Sequence, residues 1–155
     1  MNNKVIIAAA GSGKTTHLIE TALLLRNATI IITTFTDDNE KEIRTRFFER
    51  NGCIPSNVVI QTWFSFLLQH GVRPYQGYLY DKNIVGLSLV NSQSALRSQE
   101  TNVERHYLTG DKKIYSDKIA KFACRCDERS NGAVISRLSK IYTHIFIDEV
   151  QDLAG

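Results

Sequence analysis

The stretch Ala8-Ala-Ala-Gly-Ser-Gly-Lys-Thr15 limits what this chain can become more than any other. It follows a short apolar run, Lys4-Val-Ile-Ile-Ala8, and precedes a segment in which Leu18, Ile19, Ala22 and Leu23 recur at helical spacing. An apolar run ending in small residues and a glycine turn predicts a buried parallel strand. The change of period predicts a helix directly after it. Gly11 and Gly13 permit a close backbone approach that a Cβ forbids, so successive N–H groups can converge on one anion. The helix adds its N-terminal amides and the positive end of its dipole. A strand, a phosphate-sized turn and a helix commit the chain to an α/β architecture.

The turn has Walker A spacing, with Ala8 where a first glycine usually stands. In that motif Lys14 reaches the β- and γ-phosphates and the Thr15 hydroxyl ligates Mg²⁺. Ala8, Ala9, Ala10, Gly11, Ser12, Gly13, Lys14, Thr15 and Thr16 are therefore the candidate nucleotide-binding residues. Further along, Ala28–Thr34 and Val58–Gln61 predict the second and third strands, with a helix over Glu40–Arg50 stopped by Asn51-Gly52. Trp63–His70 predicts a short helix closed by Gly71, and residues 72–110 show no sustained period. Helical stripes return over Ile114–Cys126 and Val134–Tyr142, before a fourth apolar strand at Thr143–Ile147. Strands alternating with helices predict βαβ units and a parallel sheet.

That last strand runs into Asp148-Glu-Val-Gln-Asp152, a Walker B pattern. Asp148 at a strand's carboxyl end is placed to hold Mg²⁺, and Glu149 to orient and help deprotonate an attacking water. Open parallel sheets take ligands at that edge, so both ends of the chain are expected to meet there.

Composition narrows the class. The chain has 155 residues, 43% of them hydrophobic, with 19 Lys+Arg against 16 Asp+Glu; that is enough apolar material for a core. No apolar run approaches the roughly 20 residues that span a bilayer, and no signal-peptide pattern opens the sequence. Three cysteines cannot all pair with one another. These features predict a cytoplasmic protein that does not enter a membrane. Charge is unevenly placed: residues 1–50 balance at +1, 51–142 at +5 and the last thirteen at −3. A basic middle suits a polyanion, and equally an ordinary solvated surface.

Four blocks in order resemble a superfamily 1 helicase of the UvrD/Rep type, in its first RecA-like lobe. Ala8–Thr15 resembles motif I, Thr34-Phe-Thr-Asp-Asp-Asn-Glu-Lys-Glu-Ile-Arg-Thr-Arg46 motif Ia, Gln61-Thr-Trp-Phe-Ser-Phe66 motif Ib, and Asp148-Glu-Val-Gln-Asp152 motif II. The resemblance implies a P-loop, RecA-like sheet flanked by helices. A mostly helical insertion, 72–142, would lie between the third strand and the Walker B strand, all within one lobe, 1–155. It implies ATP and Mg²⁺ as cofactors, the ATP-binding lobe of an ATP-dependent nucleic-acid helicase or translocase, and single-stranded nucleic acid, DNA ahead of RNA, as partner. Lys14, Asp148, Glu149 and Gln151 would be catalytic, Thr15 and Asp148 metal ligands, and Phe35, Thr36, Thr62, Trp63 and Phe64 would lie along the strand. Stacking of bases on aromatic faces, at about 1–3 kcal/mol each, is the physical sense of that last set. Core packing is the competing reading for Phe64 and Phe66.

Asn39-Glu40 replaces the paired alanines of motif Ia, and no adenine-reading glutamine motif precedes the first strand. Motifs III to VI and a second lobe are absent from the 155 residues. The expectation is a truncated lobe that binds nucleotide, hydrolyses it poorly and does not unwind duplexes alone, its missing lobe or another protein being the partner. A non-catalytic nucleotide- or nucleic-acid-binding remnant and another P-loop NTPase or kinase are the alternatives. Cys124-x-Cys126, Cys53 and the four histidines lack ligand spacing, so thiols rather than a metal site are expected. Lys112, Lys113, Lys118, Lys121, Arg125 and Arg129 predict a solvated helix face ahead of a phosphate-facing one.

Overall fold

The computed structural model describes residues 3–7 and 12–149. Contacts divide the chain into two compact units. One runs to Thr62 and resumes at Tyr142; the other is Trp63–Ile141.

The first unit is built on three parallel strands in the order β2 (Val58–Thr62), β1 (Ile30–Thr34) and β5 (His144–Ile147). Pairing runs in register from Ile30 opposite Val58 and His144 to Thr33 opposite Gln61 and Ile147. Every residue of β1 is buried, as a central parallel strand requires, and the β-branched run Ile30-Ile-Ile-Thr-Thr34 supplies side chains that pack on both faces. Helix α1 (Lys14–Leu24) and helix α2 (Asp37–Asn51) cover one face. Ile19 and Ala22 of α1 meet Ile43 and Phe47 of α2 over Ile30, Ile32, Val58 and Ile60. Thr36 caps α2 by accepting from the Asn39 amide at 3.1 Å, and Asp37, Asp38 and Glu40 load its first turn with the charge its dipole favours. Gly52 ends it at φ 74°.

The second unit is irregular. Helix α3 (Trp63–Phe66) passes into a π-helical turn, Leu67–Val72, then a 3₁₀ turn, Gln76–Tyr78. Strands β3 (Gly86–Ser88) and β4 (Lys113–Tyr115) form a two-stranded parallel pair around helix α4 (Val103–Tyr107). Helices α5 (Ile119–Arg129) and α6 (Ala133–Ile141) complete it.

Three expectations need correction. No strand forms over residues 3–7, and Val5, Ile6 and Ile7 are exposed. β-Branched residues make a strand only where a ladder partner exists. β1 already pairs on both sides, and this segment joins neither outer edge, so the sheet has three strands among the described residues. Ile114–Cys126 is not one helix: Ile114 and Tyr115 pair with β3, and α5 starts only at Ile119, since a buried Ile114 satisfies a helical stripe and a strand pair equally well. Nor does Gly71 stop a helix. The π-turn runs through it, and a Cβ there would lie 2.8 Å from the Ala123 Cβ of α5, so the glycine sets a close approach.

Candidate nucleotide site

The sheet's carboxyl edge assembles the site. Asp148 directly follows β5, and its amide donates to the Thr33 carbonyl at 2.8 Å, which extends the ladder one residue and fixes the carboxylate at that edge. Phe146 packs against the α1–α2 core, so Asp148, two residues on, belongs to the same face. There it meets the start of α1. The Thr15 hydroxyl donates to the Asp148 carboxylate at 3.1 Å, across 133 residues of chain. Asp148 is only 7% exposed. Burial raises its pKa, the Thr15 hydrogen bond opposes that rise, the neighbouring Glu149 charge adds to it, and the Lys14 ammonium pulls it back down. Lys14 and Asp148 therefore share one electrostatic neighbourhood.

Gly13 precedes α1 in the left-handed region at φ 86°, and a Cβ built on it would meet nothing within 4 Å. Among the described residues no side chain caps the helix and its first turn carries no acid, so its leading amides suit an anion. Glu149 holds a left-handed φ of 56°, uncommon for a residue with a side chain and typical of turns under functional constraint. The donor set suits a hydrated magnesium–phosphate group. It comprises a hard carboxylate oxygen beside a hydroxyl oxygen, with an ammonium at hand and a glycine leaving the approach clear. Ala8, Ala9, Ala10, Gly11 and Gln151 lie outside the described residues. Ser12 is exposed and Thr16 half-buried.

The first 70 residues match the sequence model of the UvrD/REP helicase N-terminal domain. That segment, just under half of the chain, covers α1, β1, α2, β2 and α3, and the match supports a UvrD-like helicase N-terminal lobe there. Comparison with curated proteins and with solved structures found no match.

The residues assigned to nucleic acid lie at or just after the carboxyl ends of β1 and β2, whose last residues, Thr34 and Thr62, pair in register. Phe35 is half-buried and follows the last residue of β1; Thr36 is exposed and engaged as the α2 cap. Thr62 is buried as the last residue of β2. Trp63 and Phe64 are half-buried and belong to the other unit, where Trp63 stacks on Phe66 at 5.6 Å and 28°. Phe66, at 5% exposure, is a core residue.

Sequence reasoning missed Arg46. Its guanidinium donates to Thr16 of α1 at 3.1 Å while pairing with Glu42 at 2.6 Å. It thus ties the motif Ia-like helix to the first turn of the phosphate-loop helix. Two residues earlier, Arg44 donates to Glu40 and to the Ile60 carbonyl of β2. The Glu–x₃–Arg spacing was the available signal, since it places acid and base on one helix face, but spacing cannot say which further oxygen the arginine reaches.

Proposed function

We propose that the carboxyl edge of the three-stranded sheet binds MgATP in a P-loop, RecA-like lobe of a nucleic-acid-dependent ATPase. One observation carries the reading: Thr15 and Asp148, the would-be metal ligands of the two motifs, lie in hydrogen-bond contact from opposite ends of the chain. When bound, magnesium supplies charge neutralisation of the phosphates. Thr15 and Asp148 would hold it, the latter through its hydration shell. Lys14 and the leading amides of α1 bind the phosphate oxygens. Glu149 orients and accepts a proton from a water at the terminal phosphate. Arg46 holds the start of α1 against α2, so α2, which begins just after Phe35 and Thr36, can pass a change at a bound strand to the phosphate loop.

The test is equilibrium binding of a fluorescent ATP analogue with and without Mg²⁺. Lys14→Ala weakens binding by at least about tenfold, and Asp148→Asn removes most of the magnesium dependence, as expected for charge-assisted contacts. Affinity unchanged by both substitutions would refute the site.

A further inference from the structure

At the carboxyl edge of the sheet, buried polar side chains stand in one row across the strands. Thr34 ends β1 opposite Thr62, the last residue of β2. On its other side the Asp148 amide, bonded to the Thr33 carbonyl, carries the β5 ladder one step past Ile147 and sets Asp148 beside Thr34. Side chains two residues apart on a strand share a face. Ile32, Ile60 and Phe146 pack under α1 and α2, so Thr34, Thr62 and Asp148 continue those columns on the same face. The row below is apolar; this one is not. Thr34 is 1% exposed, and its Oγ1 has no hydrogen-bond partner among the described residues. Thr33, equally buried on the opposite face, does have one: its hydroxyl donates to the Phe146 carbonyl at 3.3 Å. A buried hydroxyl without a partner costs the fold free energy, and valine, of the same shape and as well suited to a strand, would remove that cost. Packing alone does not account for a threonine here.

We infer that Thr34 positions the water shell of the metal: its hydroxyl and the Asp148 carboxylate hold between them one water of the hydrated magnesium. A hydroxyl and a carboxylate on neighbouring strands, on one face and not bonded to each other, suit a bridging water. Magnesium keeps several of its waters when a carboxylate binds it, and such a water donates both protons. One goes to Asp148, and the other to the Thr34 oxygen, whose lone pairs are open to accept it. Thr15 reaches the same carboxylate from α1, so Asp148 is steered from a helix and from a strand. Thr34 touches neither the nucleotide nor the metal and acts through the water and Asp148, as outer partners of metal ligands do. The inference rests on the MgATP reading of this edge and adds to it a residue that the two motifs do not contain.

The experiment titrates Mg²⁺ into the 155-residue protein at a fixed concentration of the fluorescent ATP analogue and reads the magnesium midpoint. Electron paramagnetic resonance of Mn²⁺ in place of Mg²⁺ measures bound metal independently. Thr34→Val raises the metal midpoint about fivefold, the size of one lost hydrogen bond, and leaves binding of the analogue in EDTA as it was. In the same variant the urea midpoint of the ligand-free protein holds or rises, because a methyl group replaces an unpartnered hydroxyl. A residue that served only the fold would move the urea midpoint down and the metal midpoint not at all. Thr34→Ser retains the hydroxyl and keeps the metal midpoint of the unsubstituted protein. An unchanged metal midpoint in Thr34→Val, as an ordinary structural water would give, or a lowered urea midpoint overturns the inference. Lys14→Ala and Asp148→Asn tell the two failures apart. If both bind the analogue as the unsubstituted protein does, the nucleotide reading falls and takes this inference with it; if both weaken while Thr34→Val does not, the nucleotide site stands and only the part given to Thr34 is lost.

Discussion

The two units solve the problem of holding a chain together by different means. In the sheet unit, backbone ladders and a continuous aliphatic layer carry the structure: Ile30, Ile32, Val58 and Ile60 under Ile19, Ile43 and Phe47. Polar side chains at the sheet's carboxyl edge are then available for chemistry, as Asp148 is with the Thr15 hydroxyl of α1 donating to it. In the unit 63–141, named strands are three residues long, and side chains take over the work of the missing ladders. Glu100 receives Lys121, Arg125 and the fully buried Tyr107 hydroxyl, and Glu104 receives Tyr80 and Lys82. Ser94 and Asp117 pin the loop before α4. Regular backbone leaves polar groups available; irregular backbone uses them up.

The contrast is broken most severely by removing a core side chain from the sheet unit. Phe47 is fully buried between α2 and the sheet, and Phe47→Ala is expected to cost about 3–5 kcal/mol, read as a lowered urea midpoint. The second unit has an equivalent in overpacking. Gly71→Ala would set a methyl 2.8 Å from the Ala123 Cβ and cost about 1–3 kcal/mol; Ala123→Gly in the same chain is expected to restore much of it, a coupling that calorimetry of the four proteins measures.

Acid sharpens the comparison. The Lys121 and Tyr107 hydrogen bonds hold the Glu100 carboxyl down at about 2, from an ordinary 4.5. A depressed carboxylate stabilises the fold above its unfolded pKa, and that contribution is lost as pH falls from about 4.5 toward 2. Urea unfolding between pH 5 and pH 2, followed at probes in the two units, is expected to show this loss in 63–141. Glu100→Gln should flatten that part of the profile. The smallest effect is chemical. Burial pushes the Cys126 thiol up to about 12 and shields it completely, while Cys53 and Cys124 are exposed. A thiol reagent at pH 8 is expected to label two cysteines in the native protein and the third only on unfolding; rapid labelling of all three would contradict the buried α5 seam.

Legibility followed the same division. β1, β2, β5, α1, α2 and α6 could be read because β-branched runs and helical stripes there state both period and face. The motif spacing at the two ends of the chain pointed to one edge of the sheet, where Thr15 and Asp148 meet. The stripe over Ile114–Cys126 misled because Ile114 and Ile119 are each buried, in different elements, and burial alone carries no period across the turn between them. The apolar Val5-Ile-Ile7 misled because strand formation depends on a partner edge that local sequence does not contain.

Residue order by itself determined the kinds of element and the inventory of reactive groups, because propensity, periodicity and phosphate-loop chemistry act over a few neighbouring residues. Which of those groups meet was decided only by tertiary structure. Nothing local brings Thr15 to Asp148, binds Arg125 to Glu100, or presses Gly71 onto Ala123. Those pairings depend on strand order and helix approach, which are settled by burying one shared apolar surface over the whole chain and not by any segment of it.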